Sequence, residues 1–428
     1  MSSTLSLPAV PPSQPLSAAQ IATALVDLLC AVSGLHGAAV RQLWRVLLHT
    51  CTANGSFERT VRWSAGLPSP TAMRDALQPL LGRVPIGVWE ERLNAALRAR
   101  WVPFLRGKEV VLIGDETLIP YWGKLTGEMA GEVRRSRAKN GTKSFLAYVT
   151  VCALWDGERI LLGVTRWGPG EPLAAALARI GEPLLNSGLV IDYWMWDRGG
   201  DQAAMYRWFW LHDQRFAVAA SRRGKKEGVA AILTALEDEF GWRPCRPPQL
   251  LGEWYTMRPA EGAPVPLYLV VTWEPVSVKP GERRQRSLRR APARPGQLWR
   301  ALAYFTDGSG WRRRGADVRE RYAHRQSIES SYRMTHGCRG RTSSRDPLYR
   351  FLLFAISQLL QNEWGWYRRG RKDAAETPKA ARKAEQWWFV DFCCALCEAL
   401  IKRLRRRVKR WWAAVLLLER QAAVQGAG

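Results

Sequence analysis

Between Lys108 and Ser221 the chain alternates short apolar runs with helical stretches in an order that few folds allow. The run "EVVLIGDET" is rich in valine and reads as a buried strand that ends on Asp115. "GTKSFLAYVTVCALW" and "ERILLGVTRW" flank Asp156-Gly157, a two-residue turn signal that makes them an antiparallel pair. There follow a helix, "EPLAAALARIGEPLL", a strand, "GLVIDYWMWDRGGD", that closes on Asp197, a helix from Gln202 to His212, and the strand "RFAVAAS". The predicted order is strand, strand, strand, helix, strand, helix, strand. It predicts an α/β fold whose mixed sheet is flanked by helices.

Two of those strands present a carboxylate at their C-terminal end, and a third carboxylate stands further on. Glu329 lies in "YAHRQSIESSYRMTH", residues 322–336, which contains no Gly or Pro and reads as helix. On a helix Arg325, Glu329, Tyr332 and His336 fall within roughly 60° of arc, and Tyr322 and Arg333 widen it to roughly 100°. An i, i+4 ion pair between Arg325 and Glu329 accounts for the glutamate taken alone. Taken together, Asp115, Asp197 and Glu329 make the oxygen-rich set that holds a pair of Mg ions. Such a pair activates a water or a 3′-hydroxyl for in-line phosphoryl displacement. Glu116, Asp192 and Asp201 are the neighbouring carboxylates that would replace a failing member. The strand and helix order matches the ribonuclease-H-like fold, in which such carboxylates converge.

Charge points the same way. Lys and Arg number 64 against 38 Asp and Glu, a net +26 with a pI near 10.4, which implies a polyanionic partner and makes nucleic acid the first candidate. Twenty-two tryptophans suit stacking on bases, although most tryptophans in a globular chain fill core. The spacing Cys394-Ala-Leu-Cys397 fits half a zinc site, but no second half follows, and "WWFVDFCCALCEALIKRL" reads as a buried amphipathic helix. The opening "MSSTLSLPAVPPSQP" has no secretory pattern, and no stretch reaches the ~18 apolar residues of a membrane span. The expectation is a soluble protein of a reducing cytosol, with no membrane partner.

Five regions are expected. Residues 1–105 form a helical N-terminal DNA-binding domain after a Pro/Ser-rich arm. Within it "GLPSPTAMRDALQPLL" places a turn at Gly66 to Pro68, an N-cap at Ser69 and Pro70 at the first helical position. That is the second helix of a helix-turn-helix unit or an ordinary bundle turn. Residues 106–220 are the first part of the catalytic core, and 221–303 a β-rich insertion containing the basic loop "VKPGERRQRSLRRAPARPG". Residues 304–365 are the second part of the core, and 366–428 a basic helical tail containing "KRLRRRVKRWW".

Over residues 108–365 the chain resembles a DDE transposase of the insertion-sequence-4 family. That family's signature is Tyr, two residues, Arg, three residues, Glu, six residues, Lys. Here the spacing is met by Tyr322, Arg325 and Glu329, with His336 at the lysine position. "DET" at Asp115 and "WDRG" at Asp197 match as well, except that Gly200 stands where the family usually has an aromatic. The resemblance implies Asp115, Asp197 and Glu329 as catalytic ligands of two divalent ions, Mg or, in its place, Mn. Tyr322, Arg325, Arg333 and His336 would contact DNA, His336 as a cation or as neutral imidazole. It also implies double-stranded DNA as partner, both terminal inverted repeats and target, a homo-oligomer in the synaptic complex, and a cytoplasmic, nucleoid-associated place in a prokaryote. Trp254 and Trp273 are candidates for stacking on a flipped base. Another ribonuclease-H-like metal-dependent nuclease, and a catalytically inactive DNA-binding derivative of a transposase, are the alternatives.

Overall fold

The computed structural model describes residues 16–63, 67–125, 127–224, 226–245, 250–259, 262–276, 296–309, 318–319, 322–323, 325, 334–386 and 388–406. Five helices open it: α1 (Ala18–Ser33), α2 (Ala38–Thr52), α3 (Phe57–Trp63), α4 (Pro70–Gly82) and α5 (Ile86–Leu105). Their ends follow local chemistry. Ser17 and Gln20 form a reciprocal capping box before α1, and Gly34 closes it in the left-handed conformation. The Ser69 hydroxyl accepts the Ala72 N–H before α4, with Pro70 in the first turn, as the sequence predicts. The outward face of α4 carries Thr71, Arg74, Asp75 and Gln78, and Arg74 pairs with Glu58 of α3.

The central strands are β1 (Glu109–Pro120), β2 (Val133–Lys139), β3 (Thr142–Trp155), β4 (Glu158–Arg166), β5 (Val190–Trp196) and β6 (Phe216–Ala219). Helix α6 (Leu173–Leu185) precedes β5 and α7 (Ala203–Leu211) follows it. In the sheet β4 and β2 both pair with β3, then come β1, β5 and β6. The pair β1/β3 is antiparallel, whereas β1/β5 and β5/β6 are parallel. This is the ribonuclease-H-like mixed sheet flanked by helices. The turn between β3 and β4 has Asp156 and Gly157 at φ 48° and 74°, the left-handed pair that a two-residue hairpin requires.

Several expectations need correction. β1 does not end at Asp115; it continues through Pro120 because β3 pairs with it as far as Pro120↔Phe145. β2 has no counterpart in the sequence reading. The region after Ser221 opens with a helix, α8 (Val229–Phe240), and its strands β7 (Leu250–Met257), β8 (Val265–Pro275) and β9 (Trp299–Thr306) extend the same sheet in the order β6-β9-β8-β7. β9 crosses the boundary expected at 303, since Ala217↔Thr306 and Ala219↔Tyr304 join it to β6. Helix α9 (Pro347–Asp373) likewise crosses the boundary at 365, because Trp366 is buried edge-on to Trp101 and Phe104 of α5. Two further helices, α10 (Pro378–Glu385) and α11 (Phe389–Arg406), follow.

One continuous apolar core holds these pieces, from Leu29 and Leu47 through Trp194 and Phe216 to Leu396 and Leu400. β4 pairs only with β3, which leaves one edge of its backbone open. Two buried asparagines close that edge. Asn94 of α5 accepts the Val164 N–H at 2.7 Å and donates to its carbonyl at 2.9 Å. Asn362 of α9 does the same for Leu161, at 2.8 and 2.6 Å. Each side-chain amide thus takes the place of a neighbouring strand. Among the described residues no single helix is long and apolar enough to cross a membrane.

Candidate active site

Register brings the two aspartates together. The parallel pairing of β1 and β5 runs to Ile113 opposite Met195, and two residues further along each chain stand Asp115, still on β1, and Asp197, just past the end of β5. The close approach has a visible cause. The Trp196 ring is fully buried against Gly114, where a Cβ would lie 1.8 Å from it, and against Gly200, where a Cβ would lie 2.3 Å away. Both glycines are therefore required by this ring. At Gly200 the tryptophan four residues earlier fills the space that an aromatic side chain would need.

Asp197 leaves β5 into a short turn in which its Oδ1 accepts the Gly199 N–H at 2.7 Å. A Cβ on Gly199 would meet Glu116 Oε1 at 2.4 Å and Asp197 Oδ1 at 2.9 Å, so these two carboxylates face each other across a glycine. Arg325 supplies the positive charge. Its Nη2 is 3.1 Å from Asp115 Oδ1 and 3.4 Å from Asp197 Oδ2. Burial opposes the charge on that guanidinium, but Tyr322, Asp115 and Asp197 outweigh it and hold its pKa above the ordinary value.

The carboxylates remain short of positive charge. Burial pushes Asp115 up to about 6 against the pull of Arg325, with Asp197 pushing the same way. Burial, then Asp197 and Asp115, push Glu116 up to about 7. Glu116 Oε1 is buried with no hydrogen-bond partner among the described residues. Hard oxygen donors, a shared cation between two of them and an orphaned third oxygen fit a divalent ion of the Mg class. As they stand, no three His, Cys, Asp or Glu side chains among the described residues form a metal-holding group. Glu329 and Arg333 lie outside the described residues.

The other expected positions divide. The Tyr322 hydroxyl, expected on DNA phosphate, donates to the Trp196 carbonyl at 3.2 Å, and its ring packs 4.8 Å from Tyr304. It thereby anchors the end of β5 that carries Asp197. Arg325, also expected on DNA, lies between the aspartates. His336 is exposed, and partial burial followed by Arg339 and Lys139 push its pKa below the ordinary value, so the imidazole is neutral at pH 7. Of the reserve carboxylates, Asp192 pairs with Arg215 at the start of β5, and Asp201 accepts the Tyr206 hydroxyl and the Ser221 N–H. Both are structural. Trp273 is 1% exposed beside Phe240 and has no free face for a base, whereas Trp254 is 54% exposed.

Glu116, Gly114, Gly199 and Trp196 complete the site, and sequence reasoning reached only the first of them, as a reserve. Spacing in one strand does not report which ring the next strand lays over a glycine.

No family model matches the sequence, and no curated protein matches it. Among solved structures, a piggyBac transposase synaptic complex with hairpin DNA aligns with 92% of this chain and 81% of that chain, at 12% identity and a TM-score of 0.45.

Proposed function

We propose that this protein is a DDE transposase, of the insertion-sequence-4 type, that binds the ends of its element and catalyses metal-dependent cleavage and strand transfer of DNA. The observation that carries the reading is the pair Asp115, on β1, and Asp197, just past the end of the parallel strand β5, sharing one cation. With Glu329 they would hold divalent Mg, or Mn in its place. Bound there, the ions would supply Lewis-acid activation of a water or a 3′-hydroxyl and stabilise the leaving oxygen.

The chain's own groups do the rest. Arg325 keeps the two aspartates within reach of each other and offers a guanidinium to an approaching phosphate. Tyr322 fixes the strand end from which Asp197 projects. The low dielectric around buried Asp115 strengthens every charge interaction at the reacting phosphate. A net +26 gathers the DNA. The element's terminal repeats, target DNA and a homo-oligomeric synaptic complex are the partners of this reading.

The test is a cleavage and end-joining assay on DNA carrying the element's own ends. Asp115→Asn and Asp197→Asn should each lower cleavage at least about 1000-fold while DNA binding in EDTA stays within about threefold of wild type. Undiminished cutting in either variant removes that residue from the site. Cutting without joining in the wild type gives the reading to a nuclease of the same fold, and binding without cutting to an inactive derivative.

A further inference from the structure

We propose that the β2–β3 hairpin is a DNA-backbone arm that grips the duplex a fixed distance from the cut; the inference rests on the DNA-cleaving reading above. The hairpin turns at Asn140 and Gly141, whose φ of 52° and 77° are the left-handed pair of a tight turn. β2 pairs only with β3, and its residues from Arg135 onward are exposed. On it and across the turn stand Arg135, Arg137, Lys139 and Lys143, all exposed. Glu132, the carboxylate that immediately precedes the arm in sequence, is committed to Arg166. Among the described residues the four cations form no ion pair.

Position gives the charges their meaning. β5 supports β1 only as far as Ile113, but β1 and β3 run on together to Pro120↔Phe145. Tyr121 continues that pairing by donating its N–H to the Ser144 carbonyl at 2.9 Å. The five residue steps from Asp115 to Pro120 span about 17 Å of strand, so the hairpin lies beyond the aspartates by about five base pairs of DNA. Trp122, two residues past the end of β1, is 70% exposed and offers an aromatic face near the base of the hairpin. Charged side chains on an exposed edge strand are a common guard against strand pairing. Four of one sign, all exposed, with an exposed indole near the base of the hairpin, suit contact with a run of phosphates.

Two full-length variants test this by equilibrium binding of a labelled duplex in EDTA, where no cleavage intervenes: R135Q/R137Q/K139Q/K143Q, and Trp122→Ala. The quadruple variant should bind at least about tenfold more weakly, and its log-log salt slope should be shallower by about two to four. Trp122→Ala should weaken binding about three- to tenfold with little change of slope. The single substitutions K139Q and K143Q, each expected to lower the slope by about one, decide the matter if the quadruple variant melts early. Wild-type affinity and slope in the quadruple and single variants overturn the arm while leaving the cleavage reading standing. A loss confined to single-stranded oligonucleotides also overturns it. Failure of the wild type to bind DNA at all overturns both readings.

Discussion

Gly114 governs the site through a ring to which it makes no hydrogen bond. A methyl group there would occupy the place of Trp196, the residue immediately before Asp197. Gly114→Ala should therefore lower stability by about 1–3 kcal/mol through overpacking, and displace Asp197 from the level of Asp115. Trimming the ring as well, in Gly114→Ala/Trp196→Leu, should recover part of that loss relative to the sum of the single changes. Urea denaturation of the four proteins measures the coupling, and strictly additive costs would show that the two residues do not contend for one space. Asp115 and Asp197 were legible in the sequence because each follows an apolar, strand-like run, which is a local pattern, although β1 runs on past Asp115 to Pro120. The glycine was not, since its necessity is imposed by a ring 82 positions away in the chain. Tyr322 and Arg325 were legible as a cluster but not in their roles. Their partners, the Trp196 carbonyl and two aspartates, come from strands more than 120 residues earlier.

Elements with strong internal signals emerged as the sequence predicts: the turn at Asp156-Gly157, the strand before Asp197 and the capped start of α4. β2 escaped because "VRRSRAK" has almost no apolar residue and gains its strand conformation from pairing with β3 at Val133↔Leu146 and Arg134↔Phe145. Helix α11 was legible as amphipathic, but not what it packs on. It lies on α2, where Cys397 Sγ sits 3.3 Å from His49 Nε2 and Thr60 Oγ1 lies 3.4 Å from His49 Nδ1. Burial pushes His49 down to about 4, so the folded protein binds this proton less readily than the unfolded chain. Its contribution to stability is complete above the unfolded value near 6.5 and is lost as pH falls toward 4, by up to about 3 kcal/mol. His49→Gln should flatten that part of the acid dependence. Comparing urea midpoints of both proteins between about pH 7.5 and about pH 4.5 checks it, and parallel losses would clear His49 of the effect.

On the scale of the whole molecule, the segment read as a separate DNA-binding domain shares its core with the sheet. Glu90 of α5 accepts from the Thr165 hydroxyl and the Arg166 N–H, and Arg100 pairs with buried Glu363 of α9 at 3.0 Å. The sequence could not disclose this, because polar residues on α5 look like a solvated face until β4 arrives beside them. Asn94 and Asn362 make the sharpest case, since each satisfies both a backbone N–H and a carbonyl at the open edge of β4. Asn94→Ala and Asn362→Ala leave those groups buried and unpaired, at a cost of about 2–4 kcal/mol each. Because helices and sheet are joined through these residues, the loss should move one cooperative transition of the whole chain rather than release the helices alone. Tryptophan fluorescence reports the sheet through Trp194 and Trp196 and the helices through Trp44 and Trp89, and far-ultraviolet circular dichroism reports helix content independently. In urea the two signals should coincide in the wild type and shift together in both variants. A helical signal that melts first in Asn94→Ala, while the sheet stays folded, would restore an independent N-terminal domain and confine the asparagine to docking it.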